Sequence, residues 1–129
     1  MEKTMEYHVN EVMNSFKRGT TEMLLLSLLD LNDMYTYDLS KQLKKMTKGQ
    51  FDIQGPSLYT VLYRMESRGF VTTRTEMVGK RRRVYYHLEA EGREYLRQII
   101  DGYRLINGCV NTVLDNAEQM RGGQNSEIA

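Results

Sequence analysis

The sequence predicts a mainly α-helical fold that carries one small β-hairpin. Apolar residues recur every three or four positions along most of the chain, which is the period of an amphipathic helix. Between residues 70 and 88 the pattern changes to β-branched and aromatic residues, and the helical period returns after Glu89. The chain has 129 residues, of which 40% are hydrophobic, and this is enough for one domain with its own core.

Two helices are predicted in the N-terminal quarter of the chain. Residues 1–17 form an amphipathic pattern, and Gly19 follows it as a stop signal. Thr20 or Thr21 then caps a second helix, which is apolar on nearly all sides. A helix of that kind belongs in the middle of a small domain.

A third and a fourth helix follow, and each has clear start and stop signals. Thr36 is placed to cap the third helix, and Gly49 to end it. The fourth helix covers about residues 56–68: it begins at Pro56, where the missing N–H costs nothing, and Gly69 closes it.

The remainder of the chain is predicted as a hairpin and one long helix. The strands Phe70–Glu76 and Val84–Leu88 flank a basic turn that contains Gly79. A helix over residues 89–120 follows, with apolar residues every three or four positions. Residues 121–129 are polar and are predicted to be a flexible tail.

Charge is concentrated in one part of the chain. The formal net charge is only +1, yet Lys and Arg outnumber Asp and Glu within residues 36–83, and the reverse holds elsewhere. A basic segment in a nearly neutral protein is typical of a surface that faces a polyanion. A solvated lysine-rich surface explains the same charge pattern equally well, so charge alone does not decide the function.

Several classes of protein are disfavoured. The single cysteine, Cys109, cannot form an internal disulfide, and no Cys/His cluster has metal-ligand spacing, so we expect a reducing, cytoplasmic location without metal or cofactor. The N-terminus lacks the apolar core of a signal peptide, and the apolar run Met23–Leu29 is too short to span a bilayer. No nucleophile–base pair or phosphate-binding glycine loop is present, and we predict no enzymatic activity.

The order of elements is that of a winged helix-turn-helix, here predicted over residues 18–88. In that layout the fourth helix enters the major groove of DNA, and the basic hairpin tip reaches an adjacent groove or the backbone. The predicted DNA-binding residues are Tyr37, Lys41, Ser57, Tyr59, Thr60, Tyr63, Arg64, Lys80, Arg81 and Arg82. For Tyr63, packing against a neighbouring helix is an equally good alternative.

Four segments resemble the PadR family of transcriptional regulators. Arg18–Leu29 and Tyr35–Leu39 are similar to the opening of that family. Ser57–Val71 is similar to its recognition helix and the turn into the wing, and Gly79–Leu96 to the wing and the start of the dimerisation helix. The match covers roughly residues 18–97 in register. The resemblance implies a dimeric regulator whose recognition helices face successive major grooves, within the compact subgroup that has one C-terminal helix.

Some positions depart from the pattern of that family. Pro56 stands where the family commonly has glycine, Thr60 where it often has proline, and Glu89 where a capping threonine is expected. Thr60 is therefore predicted to offer a free hydroxyl on the reading face. The resemblance also implies that some members bind flat aromatic compounds at the dimer interface. The absence of tryptophan excludes a pocket built on a stacked indole.

We therefore predict a homodimeric DNA-binding regulator, a repressor that binds a pseudo-palindromic operator. The long helix, together with helix 1–17, is predicted to form the dimer. The predicted interface residues are Val12, Phe16, Leu96, Ile99, Ile100, Tyr103, Ile106, Val110 and Val113. Two alternatives stay open: a sensor whose flat aromatic or cationic effector binds at the dimer interface and releases DNA, and a winged-helix module that contacts only proteins.

Overall fold

The computed structural model describes the backbone of residues 4–128 and the side chains as far as residue 123. The elements are α1 (Met5–Leu31), β1 (Met34–Tyr35), α2 (Thr36–Met46), α3 (Pro56–Ser67), β2 (Val71–Val78), β3 (Arg81–Leu88) and α4 (Ala90–Ile128). The fold is thus mainly helical with a small antiparallel sheet, as predicted. The chain divides into two compact units, one ending at Leu96 and the other beginning at Arg97.

Helix α1 corrects the predicted break at Gly19, because residues 5–31 form one continuous helix. Gly19 does not have a positive φ, so it does not adopt the left-handed conformation in which a glycine ends a helix. Thr20 and Thr21 lie inside the helix, where both hydroxyls donate to the carbonyl of Lys17, at 3.1 and 2.7 Å. A glycine inside a helix costs only about 1 kcal/mol, which a long helix tolerates.

The core of the first unit is built from the apolar stripes that the sequence predicts. The three helices α1, α2 and α3 each turn one leucine-rich face inward, towards the inner face of the sheet. The most deeply buried side chains are Leu25, Leu26, Leu39, Leu62, Met65, Val71 and Leu88. This packing leaves the opposite face of α3 directed to solvent.

The ends of α2 differ slightly from the prediction. Tyr35, and not Thr36, is the N-cap residue, and no side chain caps this helix. The helix ends at Met46, before Gly49, because Lys48 already adopts a left-handed φ of 52°. The amide of Gly49 then donates to the Lys44 carbonyl at 2.8 Å, which completes a Schellman-type ending.

Helix α3 begins and ends close to the predicted positions. Pro56 occupies its first turn. Gly69 follows it with a φ of 79°. The amide of Gly69 donates to the Glu66 carbonyl at 3.0 Å, and the amide of Phe70 donates to the Met65 carbonyl at 3.0 Å. This Schellman motif turns the chain directly into β2.

The sheet has the strand order β1-β3-β2 and is antiparallel throughout. Strands β2 and β3 are joined by the two residues Gly79 and Lys80, and Gly79 has the positive φ, 63°, that a type II′ turn needs at its first position. The strands therefore extend farther than predicted, to Val78 and from Arg81, so most of the expected turn belongs to the ladder. Strand β1 was not predicted.

Helix α4 begins directly after the hairpin. The amide of Glu89 donates to the Phe70 carbonyl at 2.9 Å, which ties the start of the helix to the base of β2. The helix continues to Ile128, past the predicted end at residue 120. A flexible tail was predicted for residues 121–129, and most of the side chains of that segment lie outside the described residues. Within the part of the chain that the structure describes, no helix is long and apolar enough to cross a membrane.

Candidate nucleic-acid interface

The outward face of α3 is polar and aromatic. Leu58, Leu62 and Met65 point into the core, so the opposite face is centred on Thr60, Tyr63 and Ser67, which follow one another at i, i+3 and i+7. Tyr63 is 71% exposed, so it does not pack closely against another helix of this single chain. Ser67 was not among the predicted site residues, although its spacing from Thr60 identifies the same face.

The hydroxyl of Thr60 is not free, contrary to the prediction. It donates to the Pro56 carbonyl at 2.8 Å, a bond that is typical of threonine inside a helix. Its proton is therefore occupied within α3. The oxygen can still accept a hydrogen bond, because the residue as a whole is exposed.

Tyrosines line the junction between the start of α2 and α3. Tyr59 is 54% exposed, and its hydroxyl lies 3.5 Å from that of Thr36. Tyr37 is 59% exposed, and the ammonium group of Lys41 lies 5.8 Å from its ring centroid. These side chains flank the outward face of α3 with hydroxyl groups and a cation, which suits contacts to a phosphate backbone.

The cations of the hairpin do not share one face of the sheet. Successive side chains of a strand alternate, so Arg81 and Arg83 lie on the outer face and Arg82 lies on the face that carries the buried Tyr86. Lys80 occupies the turn itself. The guanidinium of Arg83 lies over the ring of Tyr35, 4.5 Å from its centroid. The predicted cations Lys80, Arg81 and Arg82 are all exposed.

A cleft of about 520 Å³ lies between the start of α2, the side of α3 and strand β3. Tyrosine rings and consecutive arginines dominate its lining: Tyr35, Tyr37, Tyr59, Tyr86, Arg81, Arg82 and Arg83. Burial is the main reason that the pKa of Tyr86 is raised, and the nearby Glu66 carboxylate acts in the same direction. The lining is thus cationic and aromatic, with a protonated tyrosine at its base.

Glu22 of α1 ties α3 to the first turns of α4. Its carboxylate accepts hydrogen bonds from Nε and Nη2 of Arg64, at 3.2 and 3.1 Å, and from the hydroxyl of Tyr95, at 2.6 Å. The hydrogen bond to Glu22, followed by burial, raises the pKa of Tyr95. No local pattern predicts this cluster, since Glu22 and Arg64 are 42 residues apart.

A second ion-pair cluster lies at the start of β1. Asp33 accepts hydrogen bonds from Arg74 and from Nδ1 of His87, the latter at 2.7 Å. Burial alone would raise the pKa of Asp33, but the hydrogen bonds from His87 and Arg74 outweigh it and hold that pKa below its ordinary value. Arg74 also lies 5.1 Å from the ring centroid of Tyr85. This cluster fixes the outer face of the hairpin.

The comparisons with known proteins agree with this architecture. Residues 25–98 match the model of the "Transcriptional regulator PadR-like family". This chain belongs to the PadR-like family. A transcriptional regulator from Clostridium thermocellum is 30% identical with a TM-score of 0.71, covering 76% of this chain and 96% of that one. A PadR family regulator from Eggerthella lenta is 29% identical with a TM-score of 0.77, covering 86% of this chain and 97% of that one.

Another relative of this PadR-like chain was crystallised with its ligand. It is PadR from Bacillus subtilis, in complex with operator DNA, which is 23% identical with a TM-score of 0.58. The similarity covers 63% of this chain and 47% of that one. At this identity the comparison supports the shared fold. The family-model match and the more similar structures confirm the family and the winged-helix fold that the sequence predicts.

The predicted dimer residues of this PadR-like chain differ in their exposure. Leu96 is only 4% exposed and packs in the core of the first unit, so little of its surface is available to a partner chain. Ile99 and Ile100 are half-buried. The others are exposed on the single chain: Val12, Phe16, Tyr103, Ile106, Val110 and Val113. Cys109 is exposed on α4 as well.

Proposed function

We propose that this chain is a transcriptional regulator that binds duplex DNA as a homodimer and acts as a repressor. The observation that carries the proposal is the outward face of α3, where Thr60, Tyr63 and Ser67 are exposed beside a hairpin whose tip carries three exposed cations. A helix of this kind fits the major groove, and the hairpin reaches the flanking backbone. The relative from Bacillus subtilis, which was solved with operator DNA, supports this proposal.

In this proposal the contacts, apart from that of Arg64, divide into two groups. Tyr63, Thr60 and Ser67 face the base edges, because they occupy the centre of the exposed face of α3. Tyr37, Lys41, Tyr59 and the wing cations face phosphates, since they flank that centre. Phosphate contacts set register and affinity, whereas base contacts set the preferred sequence.

The proposed dimer rests on apolar side chains that the single chain leaves exposed. Phe16, which is 65% exposed, lies on α1 with other exposed apolar residues one or two turns away. Helix α4 separately carries exposed apolar residues every three or four positions from Tyr103 to Leu114. Continuous apolar stripes of this length are typical of partner surfaces. Two-fold symmetry of the dimer then requires a pseudo-palindromic operator.

The test is a titration of a fluorescent duplex from the promoter region of its own gene, at several salt concentrations, beside a scrambled duplex. The wild-type protein should bind the promoter duplex more tightly. The double variant Arg81→Ala/Arg82→Ala should bind both duplexes more weakly, with a log–log salt slope reduced by about 0.9 for each phosphate that the wing no longer neutralises. The control Arg104→Ala/Arg121→Ala removes the same charge from α4 and should leave the slope unchanged. A wing variant with wild-type binding would instead favour a module that contacts only proteins.

A second candidate function is a small-molecule sensor. Exposed aromatic side chains on both proposed dimer helices, Phe16 and Tyr103, favour it, because flat aromatic or cationic compounds stack on such rings. Calorimetry with a panel of such compounds tests it. Heat release that is lost in Phe16→Ala or Tyr103→Ala supports the sensor, and no heat from any compound removes it.

A further inference from the structure

The Glu22 cluster joins three helices of the first unit through one carboxylate. Oε2 accepts both hydrogen bonds from Arg64 of the recognition helix α3, and Oε1 accepts the 2.6 Å hydrogen bond from Tyr95 in α4. Nη1 of Arg68 lies 3.9 Å from Oε1. Both oxygens of the carboxylate are therefore engaged, and Arg64 is held in one orientation by the two hydrogen bonds that it donates.

The burial of the partners is unequal. The Glu22 side chain is 16% exposed, whereas the side chains of Arg64 and Arg68 are 44% and 50% exposed. The carboxylate therefore lies largely behind the two guanidinium groups, which reach solvent beside the outward face of α3. Hydrogen bonds in such a charge-assisted, partly buried pair are stronger and more directional than those of an exposed pair.

The held arginine and a released one differ in what they recognise in DNA. A mobile arginine at the flank of α3 seeks the nearest phosphate, and such a contact carries no sequence information. An arginine whose guanidinium is fixed presents its remaining N–H groups in one direction, as recognition of a guanine edge requires. The carboxylate also offsets one positive charge and so lowers the general attraction of α3 for the backbone.

We propose that Glu22 is a positioning residue for DNA recognition, which holds Arg64 so that this arginine discriminates between sequences instead of contacting phosphate. The proposal rests on the proposed function, since it concerns how α3 reads DNA. Tyr95 supports the same arrangement by holding the second oxygen of the carboxylate. Glu22 itself contacts no DNA in this scheme.

The test compares Glu22→Gln with wild type on two probes: a duplex enriched by wild-type protein from a random-sequence pool, and a scrambled duplex of the same composition. The log–log salt slope for binding of the variant to the scrambled duplex should be about 0.9 steeper than that of wild type. When the salt is diluted fourfold, the affinity of the variant should therefore gain about threefold more than the affinity of wild type. The ratio between the two affinities should fall. A purely structural role would weaken both affinities together and leave the slope unchanged, and that result would overturn the proposal.

Glu11→Gln is the matched control, because it removes the same charge from an exposed position of α1. It should leave the slope and the ratio at wild-type values. The double variant Glu22→Gln/Arg64→Ala should lose the extra slope, because the released guanidinium is its source. If the extra slope persists without Arg64, the proposal is wrong.

Arg64→Ala alone gives an independent test if Glu22→Gln fails to fold. It should weaken binding to the enriched duplex about tenfold and leave binding to the scrambled duplex nearly unchanged. An equal loss of affinity on both duplexes, with a slope lower by about 0.9, would show a phosphate contact and overturn the proposal. Wild-type protein that enriches no sequence from the pool would instead refute the proposed function, a failure that is visible before any variant is made.

Discussion

Replacing Gly92 with alanine is expected to destabilise the protein, because Gly92 lies where α4 passes the base of the hairpin. A Cβ atom at this position would lie 2.2 Å from the carbonyl oxygen of Phe70 and 2.7 Å from a methyl carbon of Leu88. The first of these atoms belongs to the backbone, so it cannot rotate away as a flexible side chain does. Either α4 or the turn before β2 must shift.

The size of the effect follows from three contributions. Overpacking in a close contact costs about 1–3 kcal/mol. A shift of the Phe70 carbonyl also endangers its 2.9 Å hydrogen bond with the amide of Glu89, at a cost of about 1 kcal/mol. Alanine recovers about 1 kcal/mol of helix propensity. The net expectation for Gly92→Ala is a destabilisation of about 1–3 kcal/mol.

The assay is chemical and thermal unfolding followed by circular dichroism, at one fixed protein concentration, because the unfolding of the proposed dimer would depend on concentration. Gly19→Ala is the matched control: it lies inside α1, and an added Cβ would meet nothing within 4 Å. It should stabilise by up to about 1 kcal/mol. If Gly92→Ala is as stable as wild type, or is stabilised like the control, the close-contact argument is refuted.

Three further predictions concern single side chains. Lys48→Gly should raise the free energy of unfolding by about 1 kcal/mol in a denaturant titration, because φ is 52° at this position, and a destabilised variant would contradict this. Because the pKa of Asp33 is lowered in the folded protein, its carboxylate contributes stability at pH values above the ordinary pKa of 3.8. This stability is lost as the pH falls through the folded pKa, so Asp33→Asn should flatten the acid limb of a stability–pH curve. The raised pKa of Tyr95 contributes stability that is present below about pH 10 and is lost as the pH rises further; Tyr95→Phe should remove this alkaline loss, and an unchanged alkaline limb would contradict it.

The sequence predicts those parts of the fold that depend on local periodicity and on local start and stop signals. Helix α3 lies within about one residue of its predicted bounds because Pro56 and Gly69 act on their own neighbours. The predicted break at Gly19 was wrong because it relied on a local signal alone. Glycine lowers helix propensity, but the tertiary packing of Leu25 and Leu26 stabilises α1 by more than that local cost.

Features that depend on distant residues could not be predicted in this way. Strand β1 has only two residues, too few to show a period, and exists because Met34 and Tyr35 pair with β3. Of the candidate DNA-binding residues, Tyr63 and the wing cations are exposed as the prediction requires. The restraint on Arg64 was missed, because it comes from Glu22 in α1, and α1 is separated from α3 by other elements of the chain.

The continuity of α1 has a mechanical consequence. One rigid rod of 27 residues, about 40 Å long at 1.5 Å per residue, begins with exposed Met5, passes Phe16 and ends among the buried leucines. Because no loop interrupts it, a twist applied at its exposed end is carried along the helix towards Glu22, and through Glu22 to α3, except for the part that bending at Gly19 absorbs. Gly19, where no neighbouring atoms brace the helix, is the one point between Phe16 and Glu22 at which such a lever bends most easily.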